Sequence, residues 1–168
     1  MHDKRITLRR LAAIAFAANL PLGATAPAFA QSDPIRIGLI LPMTGPFAST
    51  GRQVEAAAKL YMAQHGSTVA GRKVELIVKD DGGTADVTRR LAQELVVNDK
   101  VAVLAGFGLT PLALATAPIA TQSKTPMVVM AAATSSIIDA SPFIVRTSFT
   151  LPQATLGHAE WAPRNGIR

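Results

Sequence analysis

An apolar run that stops abruptly at a proline is the feature that most constrains this fold. The run is IRIGLIL, residues 35–41, and it ends at Pro42. The loop that follows is rich in Gly, Pro, Ser and Thr, and a helical pattern begins near Thr50. An apolar run of this length between chain breakers is typical of a strand buried on both faces, as in parallel sheets. The stretch therefore predicts the opening unit of an α/β sheet, in which ligands bind beyond the carboxyl ends of the strands.

The same alternation of strand, small-residue loop and helix continues along the chain. Regular β-α-β alternation without repeats or linkers predicts a doubly wound parallel sheet with right-handed crossovers. Further strands are predicted over residues 73–79, 101–105, 127–130 and 143–147. Helices are predicted from near residue 50 to residue 65, from a cap at Thr84 or Asp86 to residue 97, from residue 111 through at least residue 119, and over residues 151–162.

Two helices carry specific expectations about what they bury. Val54, Ala57, Ala58 and Tyr61 fall at i, i+3, i+4 and i+7, which predicts the inward face of the first helix. Trp161, in the last helix, is expected to cover the core.

The first 30 residues have the pattern of a secretory signal peptide. A basic stretch over residues 4–10 precedes a short apolar stretch over residues 11–22, and an A-x-A motif ends at Ala30. A membrane anchor would need about 20 continuous apolar residues, but Asn19 and Pro21 interrupt this run. The pattern predicts cleavage after Ala30 and export to the periplasm. The pair Arg9-Arg10 leaves the general secretory and twin-arginine routes both open.

Charge and composition exclude several classes of function. The export segment carries four of the 17 basic residues and one of the 11 acidic residues, so the formal charge falls from +6 to +3 for residues 31–168. A charge of +3 without a basic cluster argues against nucleic-acid binding. The chain has no cysteine, which excludes disulfides, thiolate metal sites and cysteine nucleophiles.

The loops fail the spacing tests for nucleotide-binding sites. A phosphate-binding loop that began at Gly45 would need its second glycine at position 50, where the chain has Thr50. Gly106 and Gly108 begin a dinucleotide fingerprint, but Pro111 stands where the third glycine belongs. Both sites are therefore rejected.

Catalytic and metal signatures are also weak. Asp80-Asp81 is the one pair of adjacent acids, and its position favours turn chemistry over metal binding. His65 and His158 stand alone, and the sequence has no G-x-S-x-G elbow. We therefore predict a protein that is not an enzyme and that uses no metal or cofactor.

Three loops rich in Gly, Ser, Thr or Ala follow predicted strands, over residues 44–51, 106–110 and 131–136. The carboxyl ends of parallel strands meet at one edge of the sheet, so these loops should form a shared site. Thr110 is predicted to cap the helix that Pro111 begins, and Thr134 follows the next strand. Hydroxyls and free N–H groups at helix starts attract anions, which predicts a site for a small carboxylate.

These residues also resemble a known family. The chain is similar to the solute-binding proteins of branched-chain amino-acid ABC transporters, the leucine/isoleucine/valine-binding group with the type I periplasmic binding fold. The resemblance rests on IRIG at 35–38, TGP at 44–46, Gly51, GRKVEL at 71–76, DD at 80–81, Gly106, TPMV at 125–128, AAATS at 131–135 and RT at 146–147.

The resemblance implies a fold, a site and partners. The fold would be one Rossmann-like lobe of two that close on a small-molecule ligand, which is then delivered to an ABC transporter permease. Thr110 would hold the ligand carboxylate and Thr134 its amino-acid head group, with Ala132 contributing backbone groups and Thr50 flanking the ligand.

Residues 31–168 would then be the N-terminal lobe alone, as a fragment or a truncated product without the second lobe. The alternative is a periplasmic domain that senses a ligand or binds a partner without a role in transport.

Overall fold

The computed structural model describes residues 33–167, and the predicted export segment with its cleavage site after Ala30 lies outside them. A six-stranded sheet forms the centre of the fold. Its strands are β1 (Ile35–Leu41), β2 (Thr68–Val69), β3 (Arg72–Asp80), β4 (Val103–Gly106), β5 (Met127–Val129) and β6 (Ile144–Arg146). The helices are α1 (Ala48–His65), α2 (Ala85–Val97), α3 (Thr110–Ser123) and α4 (Leu151–Arg164), with a 3₁₀ helix at Ser135–Ala140.

The strand order β2-β3-β1-β4-β5-β6 confirms the doubly wound α/β fold. The five strands β3, β1, β4, β5 and β6 are mutually parallel, and β1 lies between β3 and β4. The direction in which successive strands are added therefore reverses beside β1. Such a switch point opens a crevice at the carboxyl ends of the two strands, which here are β1 and β4.

The first edge of the sheet holds a strand that the sequence did not predict. Strand β2 pairs antiparallel with β3 through a two-residue turn, Ala70-Gly71, so the sheet is mixed rather than wholly parallel. Both turn residues have positive φ, 49° and 77°, as a type I′ hairpin turn requires. The turn at Gly71 was predicted correctly, but a two-residue strand is too short to show a periodic pattern.

Two apolar clusters hold the sheet between its helices. One face packs against α2 and α3, with Ile40, Leu95 and Leu104 fully buried in a cluster that also includes Phe107. Gly38 allows this approach, because a Cβ there would lie 2.8 Å from Leu95 Cδ1. On the other face, Leu39, Leu41 and Ala105 pack with Val54 and Ala58 of α1.

The predicted inward face of α1 is only half right. Val54 and Ala58 pack against the sheet, but Ala57 is exposed and Tyr61 is 64% exposed. Tyr61 instead stacks on His65 with ring centroids 4.2 Å apart. From Gly51 onward, the buried and half-buried residues of α1 are Gly51, Val54, Glu55, Ala58 and Met62. The inward stripe therefore keeps the spacing i, i+3, i+4 and i+7 but begins at Gly51 rather than at Val54.

The prediction for Trp161 is wrong. Its side chain is 55% exposed, and none of the described residues of α4 is buried. Helix α4 begins at Leu151 with a capping box between Thr150 and Gln153, so its existence follows from local sequence. Its apolar residues are exposed because no other described element covers them.

Most other boundaries agree with the sequence to within three residues. Strand β4 begins at Val103 rather than 101, and α1 begins at Ala48 rather than 50. The 3₁₀ helix at Ser135–Ala140 was not predicted. Over residues 33–167, no helix is long and apolar enough to cross a membrane.

Candidate ligand-binding site

The crevice at the carboxyl ends of β1 and β4 is bordered by the loops that leave β1, β4 and β5. The β1–α1 loop is fixed by Asp80 at the end of β3. The Asp80 carboxylate accepts hydrogen bonds from the Met43 N–H (2.8 Å), the Thr44 hydroxyl (2.7 Å) and the Gly82 N–H (2.9 Å). These bonds, that of Gly82 first, lower the pKa of Asp80. Asp80 is therefore an ionised carboxylate that holds the β1–α1 loop, one border of the crevice, in place by hydrogen bonds.

Asp81 has a different environment although it is adjacent in sequence. It is 1% exposed and accepts hydrogen bonds from the Gly83 N–H (2.9 Å) and the Thr88 hydroxyl (3.0 Å). Burial raises the pKa of its carboxyl group. The pair thus serves turn and helix-start structure as predicted, but Asp81 is buried rather than solvated. No group of three or more His, Cys, Asp or Glu residues is placed to hold a metal ion within residues 33–167.

A sharp backbone turn carries the chain from β4 into α3. Gly106 has φ 114°, and a Cβ there would lie 2.1 Å from the Ile40 carbonyl oxygen. Phe107 follows with φ 64°, its side chain is fully buried, and its N–H donates to Ile40 O at 3.0 Å. Only glycine fits at position 106 so close to β1.

Thr110 was predicted as the N-cap of α3, and the prediction is wrong by one residue. Leu109 is the N-cap, with extended backbone (φ −131°, ψ 153°), and its carbonyl accepts from the N–H groups of Leu112 and Ala113. Thr110 is the first residue of the helix, and Pro111 is the second. Because the Thr110 hydroxyl does not cap the helix, it can contact another loop.

Thr110 contacts Thr134. Their hydroxyl oxygens lie 2.7 Å apart and share one hydrogen bond, and both residues are half-buried. The segment Ala132–Thr134 after β5 (the β5 loop) reaches α3 because the Ala132 N–H donates to Phe107 O at 3.0 Å. Ala132 itself is 2% exposed, so only its backbone can take part in a site. Two of the predicted loops therefore meet through named side chains.

Thr50 lies outside this hydrogen-bonded group. It is the third residue of α1, half-buried, and its N–H donates to Phe47 O at 3.1 Å. Phe47 and Leu109 both lie near Gly83, since a Cβ there would be 3.8 Å and 3.9 Å from them. The two side chains give the β1–β4 end of the crevice an apolar border. Phe47 was missed because one aromatic residue in a turn has no sequence pattern.

Arg146 was also missed as a site residue. Its guanidinium donates to the carbonyl oxygens of Ala132 (2.5 Å) and Thr134, and thereby shapes the β5 loop. In the sequence it appeared only as part of a family resemblance, because its partners lie 12 and 14 positions away.

Beside the Thr110–Thr134 pair, away from the ionised Asp80 at the end of β3, the local charges favour an anion. Helices α1 and α3 both begin here, and neither has an acidic residue in its first turn. The partial positive charge of each helix start is therefore not neutralised by its own side chains. The hydroxyl pair, the helix starts and the nearby guanidinium together can hold a carboxylate by hydrogen bonds without covalent chemistry.

A separate groove of about 780 Å³ lies between α2 and α3. It is lined by helix residues such as Val97, Leu114 and Pro118 and includes none of the predicted site residues.

Comparison with known proteins gives a consistent result. A family model described as periplasmic binding protein matches residues 34–168. A Leu/Ile/Val-binding protein homolog of Brucella abortus is 42% identical over 166 residues, which cover 98% of this chain and 40% of that protein. The chain thus spans about 40% of the length of the curated relatives it matches.

Solved structures share the fold. The solute-binding protein of an ABC transporter from Rhodopseudomonas palustris, in complex with 3,4-dihydroxybenzoic acid, is 60% identical with a TM-score of 0.78. The match covers 80% of this chain and 37% of that one. A leucine-binding protein from Thermotoga maritima is 30% identical with a TM-score of 0.73, covering 78% and 37%.

Proposed function

Because this chain belongs to the periplasmic binding protein family, we propose that residues 31–168 form the N-terminal lobe of an ABC-transporter solute receptor. The lobe binds a small carboxylate in the periplasm and presents it to a membrane permease. The observation that carries the proposal is the 2.7 Å contact between the Thr110 and Thr134 hydroxyls, which lie in the loops after β4 and β5, next to the switch point of the sheet.

The hydroxyl pair suits a carboxylate because each oxygen can donate as well as accept. Thr110 and Thr134 share one hydrogen between them, so the second hydrogen is free to donate to a ligand oxygen. The N-terminus of α3 adds its dipole at the same point. The lobe acts by binding, and we propose no catalytic step.

Within this class we favour an aromatic carboxylate of the hydroxybenzoate type over an amino acid. The relative with 60% identity holds 3,4-dihydroxybenzoic acid, whereas the leucine-binding protein is 30% identical. Phe47, which is 44% exposed, also offers an apolar border that suits an aromatic ring.

Calorimetric titration of residues 31–168 with 4-hydroxybenzoate, 3,4-dihydroxybenzoate and leucine tests the proposal. A single lobe buries only part of a ligand, so we expect a Kd in about the millimolar range for the lobe alone. A chimaera that joins residues 31–168 to the second lobe of the Rhodopseudomonas relative removes that difficulty. We expect the chimaera to bind the benzoates more tightly than leucine.

Two results would contradict the proposal. A chimaera that binds no carboxylate, while the parent relative binds under the same conditions, would overturn the function. Tighter binding of leucine than of either benzoate would retain the receptor role and overturn the ligand class.

A further inference from the structure

Arg146 holds both ends of the β5 loop, Ala132–Thr134. Its Nη1 donates to Ala132 O at 2.5 Å and its Nη2 donates to Thr134 O. A guanidinium is a rigid planar fork, so two such bonds define the orientation of both peptide groups. The side chain of Thr134, which contacts Thr110, therefore stands on a backbone that Arg146 orients.

The charge of Arg146 has no carboxylate partner within residues 33–167. Its acceptors there are backbone carbonyl oxygens, and it lies in none of the ion pairs of that region. The residue is half-buried, and its Nε is buried without a hydrogen-bond partner. A partly desolvated charge is costly unless an opposite charge compensates it. An anion bound at Thr134 would supply that compensation.

The same contacts join the β5 loop to the segment that leaves the sheet, residues 147–151, which we call the exit segment. Arg146 Nη1 also approaches Phe149 O at 3.5 Å, and the Leu151 N–H donates to Ala133 O at 2.9 Å. Three side-chain polar atoms of the described chain are buried without partners, and two of them belong to Arg146 and Ser148. Such atoms are rare in folded proteins, and each calls for an explanation.

We propose that Arg146 is a positioning residue of the carboxylate site: its charge sets the preference for anions, and its hydrogen bonds couple the β5 loop to the exit segment. This inference rests on the proposed function and deepens it. The guanidinium orients the Thr134 backbone and acts on the ligand through the local potential. Because the exit segment shares these bonds, binding at Thr134 changes how firmly that segment is held.

The test compares Arg146→Gln and Arg146→Lys with the unaltered chain, titrated with 4-hydroxybenzoate and with the neutral 4-hydroxybenzamide. Shifts of amide NMR signals measure Kd into the millimolar range. We expect Arg146→Gln to weaken benzoate binding about tenfold, the order of one attraction between opposite charges in a partly screened site. Benzamide binding should change less than about threefold, since the amide carries no charge. A merely structural role would weaken both ligands alike.

Lysine separates the charge from the geometry. Arg146→Lys retains the charge without the planar fork, so it should restore the preference for benzoate over benzamide. It should not restore slow hydrogen exchange at the Leu151 amide, which both variants should accelerate without ligand. Amides of β1 report global unfolding and serve as the internal reference. Arg89→Gln, an exposed arginine on α2, is the matched control and should change neither readout.

The outcomes are distinct. If the unaltered chain binds benzoate and Arg146→Gln leaves the benzoate-to-benzamide ratio unchanged, the charge role is overturned and the proposed function stands. If hydrogen exchange at the Leu151 amide, relative to the β1 amides, is unchanged in both Arg146 variants, the coupling between the β5 loop and the exit segment is overturned. If the unaltered chain and the two-lobed chimaera bind neither ligand, the proposed function fails and this inference fails with it.

Discussion

The hydroxyl oxygens of Thr110 and Thr134 lie 2.7 Å apart although the residues are separated by 24 positions in the chain. They meet because β4 and β5 are parallel neighbours in the sheet, so their carboxyl ends release the chain at the same edge. The turn at Gly106 and Phe107 then directs α3 toward the β5 loop. The contact is thus a product of strand order and of one sharp turn.

Replacing either threonine with valine should weaken carboxylate binding with little change in shape. We expect Thr110→Val and Thr134→Val each to raise the Kd for 4-hydroxybenzoate about three- to tenfold, the range for one neutral hydrogen bond. The double variant should raise the Kd by less than the product of the two single-variant factors, because the hydroxyls act as a pair. Titration followed by NMR measures all three, and Thr68→Val on the exposed strand β2 is the control. Unchanged affinity in both single variants would remove the pair from the site.

Asp80→Asn should destabilise the fold at neutral pH. The ionised carboxylate accepts three hydrogen bonds, but it is exposed and solvent screens it, so we expect a loss of about 1 kcal/mol. The pKa of Asp80 is lowered in the fold, so its contribution is present above the unfolded pKa of about 3.9 and is lost as the pH falls through the folded pKa.

Urea unfolding of the Asp80→Asn variant at several pH values measures this dependence. The difference from the unaltered chain should be largest near neutrality and should close below about pH 4. Asp86→Asn, at an exposed position in the first turn of α2, is the matched control. A difference in the free energy of unfolding that does not depend on pH would contradict a stabilising role for the ionised Asp80 carboxylate.

Asp81→Asn should have the opposite effect. The Thr88 hydroxyl has one hydrogen but two acceptors, Asp81 Oδ2 at 3.0 Å and Thr84 O at 2.9 Å. An asparagine amide can donate one N–H to Thr88, which then donates to Thr84, so the Thr88 hydroxyl no longer has to serve two acceptors. Burial raises the pKa of Asp81, so ionisation costs stability as the pH rises from the unfolded pKa toward the folded one.

The expected gain from Asp81→Asn at pH 7 is up to about 1 kcal/mol in the free energy of unfolding, shrinking as the pH falls. Asp81→Ala should instead cost about 1–3 kcal/mol, because it leaves the half-buried Gly83 N–H and the buried Thr88 hydroxyl without their acceptor on Asp81. If the asparagine variant is as unstable as the alanine variant, the carboxylate charge itself is required.

Gly106→Ala should disrupt the turn that directs α3. The Gly106 backbone has φ 114°, and an added Cβ would lie 2.1 Å from the Ile40 carbonyl oxygen. The nearest atoms are all backbone atoms of Ile40 in β1, which cannot move aside as a flexible side chain could. We expect a loss of about 3 kcal/mol or more from strain and displacement. Gly157→Ala is the matched control, since no atom lies within 4 Å of its Cβ and alanine favours the helix. The Tm of thermal unfolding should fall for Gly106→Ala and rise slightly for Gly157→Ala.

Trp161 should behave as a surface residue. It is the one tryptophan of the chain, so its fluorescence reports a single site, and acrylamide should quench it efficiently. Trp161→Ala should cost less than about 0.5 kcal/mol, whereas Phe107→Ala, in the fully buried core, should cost about 3–5 kcal/mol. A protected tryptophan in the isolated chain would mean that α4 packs against other residues.

Local patterns predicted the elements well because those patterns act over a few residues. The apolar run 35–41 forms β1, and Val87, Leu91 and Leu95 face the core from α2. The helix α4 starts where Thr150 and Gln153 make a capping box. Trp161 failed for a different reason: its burial depends on what covers α4, and periodicity along one helix carries no information about a neighbour.

The sequence by itself determined the class of fold, a doubly wound sheet with hydroxyl residues after its strands, and from those hydroxyls it predicted a site for a carboxylate. Only the tertiary structure decided which residues meet. Thr110 lost its predicted capping role and contacts Thr134 instead, Thr50 lies apart, and Arg146 orients the β5 loop from a third strand. Helix and strand propensities are local, whereas these contacts depend on the order of the strands in the sheet, which joins residues 12 to 24 positions apart.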